Sequence, residues 1–251
     1  MEQTEKESTM KLTLLNTNAS NTKILKSQNG TEFKIASLSL YPNNIICAGS
    51  KSAGCLKICL KDSGFAQIFK NVNESRKRKT DFYLNNSAAF FEQLRNEIFK
   101  FERKTIDEGY KPAFRLNTIS DINYTMSGEP IPAEFPKSTF YDYTKIVKTL
   151  ETGIKNYKKI FSYSGRSQYQ KSVEIALKTD IPIAVVFRGF IPVGNTFLNR
   201  EIIDGDKSDL KNAFNSRNKI CGLKLKGNKQ KTMIGDFIVE PEQAKSLELA
   251  A

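Results

Sequence analysis

The sequence predicts an α/β protein of a single domain, built on a mostly parallel sheet that is either open and doubly wound or a partial (β/α) barrel-like arrangement. Three observations predict it. Short apolar runs recur along the chain, segments with apolar residues spaced three and four apart fall between them, and neither a fixed-length repeat nor a long linker divides the 251 residues. Such alternation argues for right-handed βαβ crossovers.

Taken in order, residues 1–20 are rich in Thr, Asn and Ser and form a polar peripheral segment. The α/β domain is expected over 21–240, and 241–251 is a tail that ends as a frayed helix. Strand-like runs lie at 33–40, 113–117, 139–143, 159–163, 183–187 and 220–225, with 233–239 as a final edge strand. Between the first two, Ala88, Ala89, Phe90, Phe91, Leu94, Ile98 and Phe101 repeat at three and four and make one apolar stripe against Arg95, Lys100 and Arg103. A second helix over 169–178 carries Val173, Ile175, Ala176 and Leu177, with Ser167 as its cap.

Composition removes several mechanisms. There is no histidine, which excludes Ser-His-Asp and Cys-His sites, His-ligated zinc, His-metal relaxases and HNH-type nucleases. A general base must be a carboxylate, a lysine, a tyrosine or metal-bound water. The longest apolar run, 181–187, is interrupted by Pro182, so no membrane span is expected. The first ten residues are polar and acidic and show no signal peptide pattern, which points to an intracellular protein. Reduced thiols in that compartment favour metal or redox chemistry for clustered cysteines.

Thirty-nine Lys and Arg against 27 Asp and Glu give a formal charge of +12, and the partner this implies is nucleic acid. Arg76, Lys77, Arg78 and Lys79 are adjacent and read as lying just before a helix start, where backbone amides would join them in clamping phosphates. Four such contacts on duplex DNA would give a salt slope of roughly −3.6. The competing reading is a solvated connector. Lys224, Lys226, Lys229 and Lys231 form a second basic stretch.

In parallel sheets, functional side chains collect beyond the C-terminal ends of the strands. That rule selects Asn117, Ser120 and Asp121; Asp142, Tyr143 and Lys145; Ser162, Ser164 and Arg166; Arg188; and Asp204, Asp206 and Asp209. Turns and helix caps use the same residue types, with Asp204-Gly205 as a turn and Asp206 or Ser208 as a cap. The reactive set is Asp121, Asp142, Tyr143, Lys145, Arg166, Arg188, Asp204 and Asp206, with Asn117, Ser162 and Ser164 as ligand or phosphate contacts. The segment around Gly165 lacks the nucleotide P-loop spacing. The segment at Asp204 lacks the glycine position and closing glutamate of an EF-hand, whereas a Mg²⁺ site assembled with Asp121 or Asp142 remains open.

Cys47, Cys55 and Cys59 follow the first strand with C-x7-C-x3-C spacing. Three thiolates on one loop can hold three corners of an iron–sulfur cluster or a zinc, completed by Cys221 or an outside ligand. The spacing is neither a zinc knuckle nor the compact C-x3-C-x2-C of radical enzymes. The alternative is three ordinary half-buried thiols.

Several stretches together resemble the phage gene-product-88-like family. They are Cys47-Ala48-Gly49-Ser50, Phe114-Arg115-Leu116-Asn117 with Ser120-Asp121, Phe140-Tyr141-Asp142-Tyr143-Thr144-Lys145, Ser162-Tyr163-Ser164, Val185-Val186-Phe187-Arg188, Ile203-Asp204-Gly205-Asp206 and Gly222-Leu223-Lys224-Leu225-Lys226-Gly227. The resemblance covers roughly residues 20–240 in collinear order. It implies a bacteriophage protein with an α/β barrel-like fold, acting in the cytoplasm of the infected bacterium, and no established activity. Relatives are sometimes labelled rolling-circle replication initiators, but this chain lacks the two metal-holding histidines of such enzymes, leaving a Tyr143 nucleophile with carboxylate-held metal. A second cysteine group expected of the family after the Lys-x-Lys-Gly strand is absent here.

Three functions follow. The first is a nucleic-acid-associated protein of phage DNA replication or genome processing, with Arg76, Lys77, Arg78, Lys79, Lys224 and Lys226 on the backbone. The second is a metal or iron–sulfur enzyme acting on a small phosphorylated or nucleotide-like ligand. The third is a non-catalytic factor binding a host protein.

Overall fold

The computed structural model describes residues 12–17, 22–59, 68–226 and 236–246. Among them lie strands β1 (Leu15–Asn16), β2 (Phe33–Leu38), β3 (Lys111–Arg115), β4 (Thr139–Thr144), β5 (Tyr157–Ser162), β6 (Ile183–Phe187), β7 (Thr196–Phe197), β8 (Arg200–Asp204), β9 (Ile220–Lys224) and β10 (Ile238–Val239). They form one sheet in the order β1-β2-β3-β4-β5-β6-β9-β8-β7, with β10 beside β6. Only β1 on β2 and β7 on β8 are antiparallel. The sheet is mostly parallel, as the alternating pattern predicts, and stays open rather than closing into a barrel.

Both faces of the sheet are covered, and β6, buried between them, reads as a continuous apolar run. On one face the helices Thr22–Gln28 and Asp209–Asn215 bring Ile24, Leu210 and Ala213 onto Ile35, Ala113, Tyr141, Ile160 and Ala184. On the other, helix Ser87–Asp107 buries Phe90, Leu94 and Ile98 at four-residue spacing against Ala36, Leu38, Phe114 and Phe140. Phe114 and Phe140 stack with ring centroids 5.0 Å apart. Helix Gln170–Leu177 adds Val173 and Ala176 over Phe161, Ile183 and Val185.

Two strand pairs part at their C-terminal ends. β3 pairs with β4 only at Ala113 and Phe114, and β5 with β6 only at Phe161 and Ser162. β10 then takes the second half of β6, pairing Ile238 with Val186 and Val239 with Phe187. The crevices this opens lie where parallel sheets place their ligands.

Several expectations need correction. The basic run does not precede a helix. Helix Lys70–Asn85 runs straight through it, and the break comes at Asn86, whose side chain accepts from Ala89 N at 3.1 Å to start the next helix. No helix N-terminus therefore backs Arg76, Lys77, Arg78 and Lys79. Lys79 folds inward and donates to Leu14 O at 2.8 Å, while Arg76 donates to Asn73 Oδ1 at 3.0 Å. Lys77 and Arg78 are the exposed members.

The final strand pairs with a single neighbour, as expected of an edge strand, but it does so as a short branch on the second half of β6. The part of that expectation at 233–235 lies outside the described residues, as do Lys229 and Lys231. Ser167 caps nothing: the short turn it opens has Arg166 as its N-cap, without a side-chain bond. Strand β8 escaped the sequence pattern because Arg200 and Glu201 open it and only Ile202 and Ile203 are apolar. The Arg200 guanidinium is buried and donates to Ile181 O at 2.8 Å and Leu177 O at 3.0 Å.

Candidate functional site

A cavity of about 200 Å³ opens at the C-terminal end of the parallel strands. After β2 the loop brings Cys47, Cys55 and Cys59 to it; after β3, Asn117 and Asp121; after β4, Lys145; at the end of β5, Ser162; after β8, Asp206; after β9, Lys226. Its apolar wall includes Leu56, Val186, Leu223 and Phe237. Tyr143 and Lys224 also line it. Sequence positions about 180 residues apart thus share one mouth, because parallel strands bring each following loop to the same edge.

Asp121 fastens three of these loops. Its carboxylate accepts from Thr144 Oγ1 at 2.7 Å and Lys145 N at 2.8 Å, and its own N–H donates to Ile46 O at 2.8 Å beside Cys47. Both oxygens are occupied, which makes it a positioning group. The cysteine loop sits so close that a Cβ on Gly49 would lie 2.5 Å from Lys145 Cβ, so only glycine fits there.

Lys145 donates to Ser162 Oγ at 2.7 Å, Ser162 O at 2.9 Å and Tyr163 O at 3.1 Å, and lies 4.2 Å from the Phe237 ring centroid. Burial pulls its ammonium down to about 8, despite opposition from Cys55 and Asp121. Burial also pushes the Cys47 thiol up to about 12, helped by the charges of Cys59, Asp121 and Cys55. Cys55 is raised by burial as well, with Lys145 the main opposing influence. Thiols so placed are neutral at physiological pH, unlike the low-pKa cysteines of nucleophilic sites. A bound cation would reverse that balance.

Beneath the cavity lie two buried charge networks, one on each face of the sheet. On one face Arg115 pairs with Asp209 through a close ion pair, both nearly inaccessible at 5% and 3% side-chain exposure. Tyr143 donates to the other Asp209 oxygen at 2.8 Å, and its ring lies 4.8 Å from the guanidinium carbon. Burial, then the Asp209 charge, lift the Tyr143 hydroxyl well above its ordinary range, so no phenolate forms near neutrality.

On the opposite face, Asp142 accepts from Asn117 N at 2.7 Å and Tyr157 OH at 2.9 Å. Burial pushes its carboxyl up to about 7. Lys159 is 3% exposed, its Nζ has no hydrogen-bond partner, and its nearest charges are Asp121 and Asp142.

Other selected residues stand apart from the cavity. Ser164 is buried and donates to Ala53 O at 2.8 Å. Arg166 donates to Lys51 O at 3.2 Å, and Arg188 pairs with Glu240 at 2.7 Å. Asp204 accepts from Asp206 N at 3.0 Å, closing the turn at Gly205. Asp142 lies below the cavity wall rather than in it. Ser208 is the true cap, accepting from Lys211 N at 3.3 Å. Cys221 is buried away from the other thiols, near Ser216 and Asp209, and does not line the cavity.

The Gene product 88 family matches residues 10–236. The chain belongs to that family. The matched span takes in every residue lining the cavity except Phe237. No curated protein and no solved structure matches the chain.

Two family-span residues deserve their place beside the sequence-selected set. Arg115 and Lys159 are cations within buried strands, a signal that a charge is being held for a purpose, yet Lys159 is indistinguishable in the sequence from its exposed neighbour Lys158. Among the described residues, no three Cys, Asp or Glu side chains are spaced to close on a single metal ion. Among them, too, no helix is long and apolar enough to cross a membrane.

Proposed function

We propose that this Gene product 88 protein is a phage-encoded enzyme whose cavity pairs an iron–sulfur cluster on Cys47, Cys55 and Cys59 with a small phosphorylated or nucleotide-like ligand. The observation that carries this reading is the meeting of all three thiols with Lys145, Asp121 and Lys226 in one cavity. Raised thiol pKa values argue against bare reactive cysteines. With Cys221 elsewhere, one corner is left for water or ligand. When bound, such a cluster would supply electron transfer or Lewis-acid activation. The chain's own groups do the rest: Asp121 fixes the cysteine loop against Lys145, and the lysines provide positive charge for an anionic ligand.

Anaerobically purified protein is expected to be brown and to carry iron with acid-labile sulfide, both lost in Cys55→Ala with the circular dichroism spectrum retained. Folded wild-type protein without iron or sulfide overturns the cluster.

A second reading, association with nucleic acid during genome replication or processing, is favoured by the +12 charge and by exposed Lys77 and Arg78 on one helix. Two phosphate contacts predict a salt slope contribution of roughly −1.8, not the −3.6 of four. A mobility-shift titration of wild type against Lys77→Ser/Arg78→Ser across salt measures that difference. No shift at low salt removes this reading.

A further inference from the structure

β4 and β5 run parallel with Thr144 opposite Phe161, so the next residues, Lys145 and Ser162, reach the sheet edge side by side. Both line the cavity. Lys145 Nζ has three oxygens within hydrogen-bonding distance: Ser162 Oγ at 2.7 Å, Ser162 O at 2.9 Å and Tyr163 O at 3.1 Å. Two of these are carbonyls, which only accept. A neutral amine carries two N–H bonds and one lone pair. The carbonyls take the two N–H bonds, and the lone pair is left for the one partner able to donate, the Ser162 hydroxyl. Burial, which pulls this ammonium down to about 8, brings the neutral amine into reach just above neutrality. The Tyr169 hydroxyl ties the two strand ends together, at 2.7 Å from Lys145 O and 3.3 Å from Ser162 O. Ser50 and Ser120, which also line the cavity, donate instead to the side-chain amide oxygens of Asn44 at 3.5 Å and Asn117 at 2.9 Å. A hydroxyl within hydrogen-bonding reach of a base that other groups hold in place is the arrangement of an activated nucleophile, and lysine can serve as that base in a chain without histidine.

We propose that Ser162 and Lys145 form a nucleophile–base dyad that hydrolyses a carboxylic ester with a short apolar acyl group. Lys145 Nζ takes the Ser162 proton as Oγ bonds to the ester carbonyl carbon. The bond from that carbon to the alcohol oxygen then breaks, and the departing alcohol receives the proton from Nζ. In the second half, water gives a proton to Nζ and attacks the acyl-serine, the bond to Oγ breaks, Ser162 recovers its proton, and the carboxylic acid leaves. The acyl group is assigned to the apolar wall of Leu56, Val186, Leu223 and Phe237, where the Phe237 ring centroid lies 4.2 Å from Nζ. A cavity of about 200 Å³ takes a chain of a few carbons and has no room for a long one. This activity goes beyond the cluster reading and requires no metal.

Treating the full chain with a fluorophosphonate and assaying it with p-nitrophenyl butyrate tests the dyad. Ser162 Oγ is expected to displace fluoride from phosphorus, so that peptide mass spectrometry places the added phosphonyl group on Ser162, and the labelled protein is expected to have lost its butyrate hydrolysis. The labelling rate of the wild type should rise roughly tenfold between about pH 7 and pH 9, as a base of pKa about 8 gives up its proton. Lys145→Arg keeps the positive charge but supplies no base, and is expected to slow labelling and hydrolysis at least about a hundredfold. Ser162→Ala is expected to abolish both, with melting curves showing that each variant is folded. Wild-type protein that takes no label at Ser162, a labelling rate that is flat across that pH range, or folded Lys145→Arg that reacts as fast as wild type overturns the dyad. Iron and sulfide measured on the same preparation separate the two claims: iron without labelling at Ser162 defeats this inference alone, and labelling without iron defeats the cluster alone.

Discussion

Asp209→Ala is expected to destabilise the protein by about 3–5 kcal/mol, the cost of leaving a buried charge without its partner. The Arg115 guanidinium would then lie inside the domain without its carboxylate, and the Tyr143 hydroxyl would lose the Asp209 oxygen it donates to. For a chain of this size the melting temperature should fall by roughly 6–20 °C. Arg115→Met/Asp209→Leu is expected to recover most of the loss, because an apolar pair carries no desolvation cost. A single variant that melts within a degree or two of wild type would mean the pair is open to solvent. The fragility is informative about function: two buried ions at the base of the cavity hold Tyr143 and the start of helix Asp209–Asn215 in place.

Stability should also fall as pH rises from about 4 towards 7, by as much as roughly 4 kcal/mol from Asp142 alone. Burial raises the folded-state pKa of this carboxyl to about 7 from an ordinary value of 3.8. The native protein therefore holds the proton more tightly than the unfolded chain. Stability gained from that difference is complete below the unfolded value and is lost as pH climbs through the folded one. Lys159 works in the opposite sense: burial lowers its pKa, so its penalty is present at low pH and is relieved on the alkaline side, up to its unfolded value. Together they place a stability minimum between the two titrations. Urea midpoints measured at closely spaced pH values should show the decline, and Asp142→Asn should flatten its acidic limb. An unchanged profile in that variant would assign the titration elsewhere.

How far the site could be read from the sequence depended on whether the strand-end rule or burial decided each residue. Asn117, Asp121, Lys145, Asp206 and the three loop cysteines follow parallel strands, Tyr143 and Ser162 lie at the C-terminal ends of β4 and β5, and all line the cavity. Ser164, Arg166, Arg188 and Asp204 satisfy the same rule in sequence but turn to local partners, a carbonyl, an acid or a turn amide. The rule locates an edge; side-chain direction there depends on what the next loop offers. Lys159 falls inside its strand, where the strand-end rule does not look, and Arg115 falls inside the run 113–117 as the sequence draws it, although β3 ends at Arg115.

The basic run shows the same division. Four adjacent cations are plain in the sequence, but a helix turns successive residues by about 100°, so adjacency does not put them on one face. Lys79 points inward to Leu14 while Lys77 and Arg78 face out.

By itself the sequence determined the α/β class, the parallel strands and their order of appearance, and the absence of imidazole chemistry, because apolar periodicity and composition are local properties of a chain. Only the tertiary structure decided that the sheet stays open, that Asp142 and Lys159 are sealed on one face and Arg115 and Asp209 on the other, and that Cys221 is separated from the other thiols. Those facts depend on which strands become neighbours and where they part, and the free energy of a buried charge is set by partners nearly a hundred residues away.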